Sequence, residues 1–79
     1  MVGLRVFKDI FHNTAYIKEI CIYPYYGAKE LEKGYRLILK SDYDSTDSIY
    51  YLSIFQSMAA ALNKLKEFSC GTFKEIYDS

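Results

Sequence analysis

The stretch that decides the fold is Ser48–Phe68, SIYYLSIFQSMAAALNKLKEF. Its first part, residues 49–52, consists of types that favour a half-buried strand, whereas the later apolar residues recur at helical spacing. Ser53 and Gln56 form an S-x-x-Q pair, in which each side chain can bond the backbone N–H of the other residue. We therefore predict a strand that changes to a helix at Ser53.

A single helix over residues 47–68 is the alternative interpretation, because the apolar residues of the whole stretch also lie near one helical face. The adjacent tyrosines and the two β-branched isoleucines favour a strand followed by a helix. In that interpretation the helix runs from Ile54 to about Ser69, and Gly71 is its C-cap. Its apolar stripe consists of Phe55, Met58, Ala59, Leu62 and Leu65.

The 79 residues make one domain, 1–79, and a domain of this size buries only about 60% of its unfolded surface. Hydrophobic residues are 51% and charged residues 25% of the chain, a balance that excludes a disordered or collagen-like segment. Nine Tyr and five Phe supply more rings than one small core encloses. We therefore expect several tyrosines at the surface or in an interface.

Charge and cysteine content narrow the classes of partner. Ten basic and ten acidic residues cancel, so no overall field draws the chain to nucleic acid or to an anionic membrane. Two cysteines make no disulfide framework, and charges interrupt the apolar run near the N-terminus, which therefore lacks a signal-peptide pattern. No run approaches the ~18 apolar residues of a membrane span. We expect a cytoplasmic protein with no membrane partner.

Patterning outside the opening stretch predicts further strands. Leu4–Asn13 fits a short amphipathic helix and a first strand equally well, because its polar residues have helical spacing and its apolar residues favour strands. Ile17–Tyr23 is predicted as a strand that ends before Pro24, and residues 24–34 as a loop. Tyr35–Tyr43 alternates apolar and polar residues, as a half-buried antiparallel strand does.

Two short segments complete the fold prediction. The tract DSTDS at 44–48 is a hairpin turn, and TFKEIY at 72–77 fits a short strand or a helical turn equally well. The predicted fold class is α+β, with an antiparallel β-meander of three to four strands and one long C-terminal helix packed on one face.

The sheet face opposite the predicted helix is too apolar for a solitary monomer to leave bare. We expect a homodimer to form through that face or through an edge strand, unless the N-terminal segment folds over the face. The candidate interface consists of Ile20, Ile22, Ile38 and Tyr50.

No catalytic or metal-binding pattern is present in the sequence. His12, Cys21 and Cys70 are the only soft metal donors, and no CxxC or HxxxH pair exists. The acidic turn fails as an EF-hand, because Asp47 and Ser53 stand where Gly and Glu are required. We therefore predict no enzyme activity, no cofactor and no metal.

Aromatic and basic residues are interleaved between Tyr23 and Arg36, as in single-stranded nucleic-acid sites where rings stack on bases and cations follow phosphates. Acidic residues in the same segments and the zero net charge count against that function. The leading prediction is thus a non-enzymatic protein–protein interaction or dimerisation module, and the alternative is a single-stranded nucleic-acid-binding module. Its candidate binding surface consists of Tyr23, Tyr25, Tyr26, Lys29, Lys33, Tyr35 and Arg36.

Overall fold

One antiparallel sheet of five strands, in the order β4-β3-β2-β1-β5, dominates the computed structural model, which describes residues 3–42 and 48–78. An α-helix and a 3-10 turn lie between the fourth and fifth strands in chain order. The elements are β1 Leu4–Lys8, β2 Asn13–Ile22, β3 Glu32–Ser41, β4 Ser48–Phe55, α1 Met58–Leu65, the 3-10 turn Ser69–Gly71 and β5 Lys74–Asp78.

The connections place the helix on one face of the sheet. Strands β1 to β4 form a meander in which each strand pairs with the next. After β4, the chain crosses one face through α1 and returns at the far side of the sheet, where β5 pairs with β1. The two edge strands, β4 and β5, are therefore the two strands that flank the helix in the sequence.

The core lies between α1 and the sheet face that the helix covers. Side chains alternate between the two faces of a strand, so Leu37 and Leu39 of β3 and Ile17 of β2 are directed to the same face, and all three are fully buried. Ala61 and Leu65 of the helix close over them. The buried cluster consists of Phe7, Ala15, Ile17, Leu37, Leu39, Ala61 and Leu65.

The predicted fold class, an α+β meander of three to four strands with one long C-terminal helix, is wrong. The sheet has five strands, α1 has only eight residues, and a strand follows it. The single helix over 47–68 is also wrong, since Ser48–Phe55 is a strand.

The helix begins four residues later than predicted. Ile54 and Phe55 remain in β4, where they pair with residues of β3. The N-cap is Ser57, whose hydroxyl accepts the N–H of Ala60 at 3.1 Å, so Ser53 has no capping role. Phe55 lies on the covered face under strand periodicity and also fits the helical stripe, which explains why the boundary was misplaced.

The helix also ends earlier than predicted, with Lys66 as its C-cap. Phe68 is extended, and Ser69, Cys70 and Gly71 then have φ values of 53°, 53° and 71°. This left-handed turn, which is costly for residues other than glycine, redirects the chain into β5. Gly71 therefore closes the 3-10 turn and does not cap α1.

The remaining segments differ from the predictions mainly at their ends. Leu4–Asn13 contains a strand and no helix, and Asn13 is the first residue of β2, which extends the predicted strand Ile17–Tyr23 toward the N-terminus. The predicted strand Tyr35–Tyr43 is confirmed as part of β3, although Tyr43 lies outside the described residues. Residues 44–47 of the turn predicted at 44–48 also lie outside them, and Ser48 is the first residue of β4. Of the predicted segment 72–77, residues 74–77 belong to the strand β5.

Strands β2 and β3 extend beyond their neighbours and form a projecting two-stranded arm. Pairing with β1 ends at Lys18 of β2, and pairing with β4 ends at Tyr35 of β3. Residues 19–34 therefore project from the five-stranded region. The radius of gyration is 13.4 Å, compared with about 11.6 Å for a compact domain of this length.

Candidate interaction surface

Within residues 3–42 and 48–78, no helix or further strand lies across the sheet face opposite α1. We call this surface the open face. Leu52 and Ile54 of β4 lie on it and are 59% and 49% exposed. Two neighbouring exposed aliphatic side chains on one face begin a contiguous apolar surface, and such a surface commonly marks an interaction site.

The strand register shows that an apolar row crosses the open face from edge to edge. Residues paired across antiparallel strands have their side chains on the same face, about 4.5–5.5 Å apart. Val6 pairs with Tyr77 on one side and with Tyr16 on the other, and the row continues through β3 into β4. The row consists of Tyr77, Val6, Tyr16, Ile38 and Leu52.

Basic residues border the apolar row on both sides. On one side, Lys8 forms an ion pair with Asp42 at 3.2 Å, and the ammonium of Lys40 lies 5.8 Å from the centre of the Tyr16 ring. On the other side, Lys18 lies directly opposite Arg36. Like charges in directly opposite positions destabilise a sheet. The sheet therefore has an unfavourable pair of cations at its boundary with the arm.

Three of the four predicted interface residues lie on the open face. Ile38 belongs to the apolar row, and Ile20 and Ile22 continue the surface along the arm. Gly34 makes room for this continuation, because a Cβ at that position would lie only 2.8 Å from Cδ1 of Ile22. The open face thus extends from the five-stranded region onto the arm.

Tyr50, the fourth predicted interface residue, is separated from the other three. It is the extra residue at the irregularity in register between Leu39 and Lys40. Its hydroxyl is hydrogen-bonded to Ser69 beyond the helix, and burial, followed by the charge of Asp9, raises the pKa of Tyr50. Tyr50 therefore belongs to a polar cluster at one end of the molecule.

The seven residues predicted to bind nucleic acid do not form one surface. Tyr23, Tyr25 and Tyr26 lie exposed at the tip of the arm, where Tyr25 and Lys29 line a cleft of about 330 Å³ that also contains Glu30 and Glu32. An acidic cleft of this kind is unsuited to phosphate. The other three residues are separated from this cleft and from one another by the sheet. Lys33 forms an ion pair with Glu19, Tyr35 packs against the core, and Arg36 lies on the open face.

The polar cluster at the end of the molecule has a structural role. The Asp9 carboxylate accepts hydrogen bonds from the N–H groups of Phe11 and Asn13, from Asn13 Nδ2 and from the Ser69 hydroxyl. Burial alone would raise the pKa of Asp9, but the hydrogen bonds from Ser69 and Asn13 outweigh it and lower that pKa. Asp9 thereby connects the β1–β2 turn to the left-handed turn before β5.

The soft metal donors are not assembled into a site. Cys21 and Cys70 are both exposed free thiols. Among the described residues, no group of three or more His, Cys, Asp or Glu side chains could hold a metal ion. No helix within residues 3–42 and 48–78 combines the length and the apolar character that crossing a membrane requires.

No protein-family model, curated protein or solved structure matches the chain. The open face and the sheet edges are therefore the features of the molecule that bear on its function.

Sequence reasoning missed two of the most exposed residues of the open face. Leu52 was absent from the predicted interface, and helical spacing placed Ile54 in α1. The signal that could have identified them is the composition of Ser48–Phe55, eight consecutive strand-forming or small residues without a charge or a proline. Such a run at a sheet edge is typical of a strand that pairs with another chain.

Proposed function

We propose that this protein is a small non-enzymatic interaction module, and that it forms a homodimer by packing its open face against the open face of a second copy. The apolar row from Tyr77 to Leu52 is the observation that carries the proposal. Removing such a row from water is the main source of free energy in association, and stacked sheets pack about 10 Å apart through side chains of this kind.

The amount of surface supports an interface of useful size. The accessible surface of the chain is 5513 Å², compared with about 4,900 Å² for a monomeric protein of the same mass. The spacing of five strands and of three rows of side chains makes the open face about 24 Å wide and about 20 Å long. Two such faces would bury about 1,000 Å², which is the lower limit for a specific interface.

The basic residues of the open face lie beside the apolar row, so in a dimer of two copies they belong to the rim of the contact. The net charge of the chain is zero, so the rest of the two copies adds no overall repulsion to that of the rims. Lys18 and Arg36 lie where the sheet meets the arm, and their long aliphatic stems can cover apolar surface while the charged groups remain in water at the rim.

Sedimentation of the variant Ile38→Glu tests the face-to-face contact. Ile38 lies in the middle of the apolar row, so a carboxylate there would be desolvated in the contact but hydrated in the separated chain. We expect the assembly mass to fall by half while the circular dichroism spectrum stays unchanged.

The matched control is Tyr26→Glu, which introduces the same charge at a fully exposed residue at the tip of the arm. This variant should assemble as the wild-type chain does. A wild-type chain that sediments at 9.2 kDa at every concentration, or an Ile38→Glu variant of unchanged assembly mass, would contradict the proposal.

Single-stranded nucleic acid is the second candidate partner for the open face, favoured by the cross-strand pair of Lys18 and Arg36 beside Tyr16. Stacked rings and nearby cations are the elements of such sites. The aliphatic residues that make up most of the row favour the protein partner instead. Anisotropy of a labelled oligonucleotide distinguishes the two, because nucleic-acid binding would weaken steeply as salt rises.

A further inference from the structure

We infer that β4 is a self-complementary edge strand, which pairs antiparallel with β4 of a second copy about a two-fold axis at Ser53. This contact uses the strand edge and is independent of the face-to-face contact proposed above. If both form, two ten-stranded sheets pack against each other as a tetramer.

Strand β4 is an edge of the sheet, and no other strand of residues 3–42 and 48–78 pairs with its outer side. The N–H of Glu19 in β2 donates to the carbonyl of Gly3 at 2.9 Å, so the backbone groups of Glu19 point toward β1 and away from β3. Tyr35, which lies opposite Glu19 in β3, therefore directs its own backbone groups toward β4, and so does Leu37, two residues further along β3. Leu37 pairs with Ser53, whose backbone groups therefore face β3. By the same alternation, Leu52 and Ile54 direct their N–H and C=O groups away from the sheet.

The order of side chains along the regular part of β4 is symmetric about Ser53. Tyr51–Phe55 has the order aromatic, aliphatic, serine, aliphatic, aromatic. When two such strands pair with Ser53 at the axis, Leu52 lies opposite Ile54 of the second copy on the open-face side, and the two aromatic residues meet on the helix side. Paired residues thus match in size and polarity on both faces.

The outward backbone groups have the positions that this register requires. In an antiparallel pair, directly opposite residues alternate between hydrogen-bonded and non-hydrogen-bonded positions. With Ser53 at a non-hydrogen-bonded position on the axis, Leu52 and Ile54 of each copy occupy bonded positions, which gives about four hydrogen bonds across the contact. If the two copies of β4 were shifted by one residue relative to each other, backbone groups that face β3 would have to form the bonds between the copies. Aliphatic side chains would then also lie opposite aromatic ones.

The charge pattern supports a second copy of this chain as the occupant. No residue of Ser48–Phe55 is charged, so two copies of β4 meet without like-charge repulsion. The contact is isologous and closes after two chains, while the charged strand β5 ends the sheet at its far edge. Leu52 and Ile54 also lie on the open face, so this pairing would join the open faces of the two copies into one apolar surface.

Charged variants at Ser53 provide the test. Its side chain is on the covered side of the sheet, so these variants leave the open face unaltered. In Ser53→Lys or Ser53→Glu alone, two like charges would lie about 5 Å apart at the axis, and we expect the dissociation constant of the β4 contact to rise about tenfold or more. Mixing equal amounts of the two variants should restore assembly, with heteromeric pairs dominating in native mass spectra.

Ser48→Lys and Ser48→Glu are the matched controls, because Ser48 lies outside the symmetric segment at the exposed start of β4. Each should assemble as the wild-type chain does, and a mixture of the two should show homomeric and heteromeric pairs in random proportion. Wild-type assembly in both Ser53 variants, or random mixing of the two, would overturn the inference.

The two proposals fail separately. In an Ile38→Glu background the face-to-face contact is removed, and the remaining dimer should respond to Ser53→Lys if the β4 contact exists. If the Ile38→Glu chain is a monomer, the β4 contact is overturned and the face-to-face dimer stands. If the Ile38→Glu chain keeps the wild-type assembly mass and Ser53→Lys dissociates that assembly, the face-to-face dimer is overturned and the β4 contact stands.

Discussion

The two edges of the sheet are built differently. Strand β4 has eight residues and no charge, whereas β5 has five residues, of which Lys74, Glu75 and Asp78 are charged. Glu75 accepts two hydrogen bonds from the guanidinium of Arg5, at 2.5 and 2.7 Å. Short and charged edge strands resist pairing with other chains, so β5 has that protection and the longer, uncharged β4 lacks it.

The edges also differ in how the chain reaches them. A meander of hairpins leads to β4, which pairs with β3 in regular register from Tyr51 to Phe55 and has one irregularity at Tyr50. Strand β5 is reached by a helix and a strained left-handed turn, and it pairs with β1 across a register shift between Val6 and Phe7. The difference indicates that β5 serves to close the monomer, while β4 is exposed along the edge where another chain can join.

Asp9→Ala should produce the largest loss of stability, because it removes the attachment of the turn that leads into β5. The N–H groups and hydroxyl that now bond the Asp9 carboxylate would lose their acceptor. We expect the free energy of unfolding to fall by about 2 kcal/mol. Hydrogen exchange should accelerate more at the amides of β5 than at those of β4, which a change of general stability would not produce.

The same carboxylate predicts a dependence of stability on pH. Because the folded chain lowers the pKa of Asp9 below its ordinary value of 3.8, its contribution is present above about pH 4 and is lost as the pH falls through the folded pKa. Asp9→Asn should lack this component in acid denaturation. Glu30→Ala, in the exposed loop of the arm, is the control and should change stability by less than about 0.5 kcal/mol.

Glu75→Gln tests the protection of β5 directly. Removing the ion pair with Arg5, which lowers the pKa of Glu75 and raises that of Arg5 through their hydrogen bonds, should cost about 0.5 to 1 kcal/mol because the pair is bidentate but partly exposed. Urea denaturation at low and high salt measures it. A loss that does not shrink at high salt would show that the contribution is not electrostatic.

The contrast between the edges shows how far sequence patterns could determine the fold. The alternation in β3 identified a strand because alternation is a local property of the residues. The strand β5 could not be separated from a helical turn, since its conformation depends on pairing with β1 about 70 residues earlier in the chain, a contact that no window of sequence contains. The start of α1 was misplaced because Phe55 fits both periodicities.

The residues of the open face were predictable from sequence where the strands are regular and not where their register is interrupted. Ile20, Ile22 and Ile38 share a face because residue parity fixes it within each strand and the register aligns β2 with β3. Tyr50 was misassigned because the irregularity beside Leu39 interrupts that parity, and a bulge has no simple sequence signal here. The seven residues from Tyr23 to Arg36 were grouped by proximity in sequence, but an extended strand separates neighbours such as Tyr35 and Arg36 onto opposite faces.

Leu52→Lys should have the smallest effect on the stability of the separated chain and still change how β4 behaves. The side chain is 59% exposed, so the substitution should alter the free energy of unfolding by less than about 0.5 kcal/mol. A charge at this position gives β4 the protection that β5 already has. Association stabilises the folded state in proportion to the logarithm of protein concentration, so the melting temperature of the wild-type chain should rise with concentration and that of Leu52→Lys should not. An equal rise in both would show that neither the open face nor the β4 edge contributes to assembly.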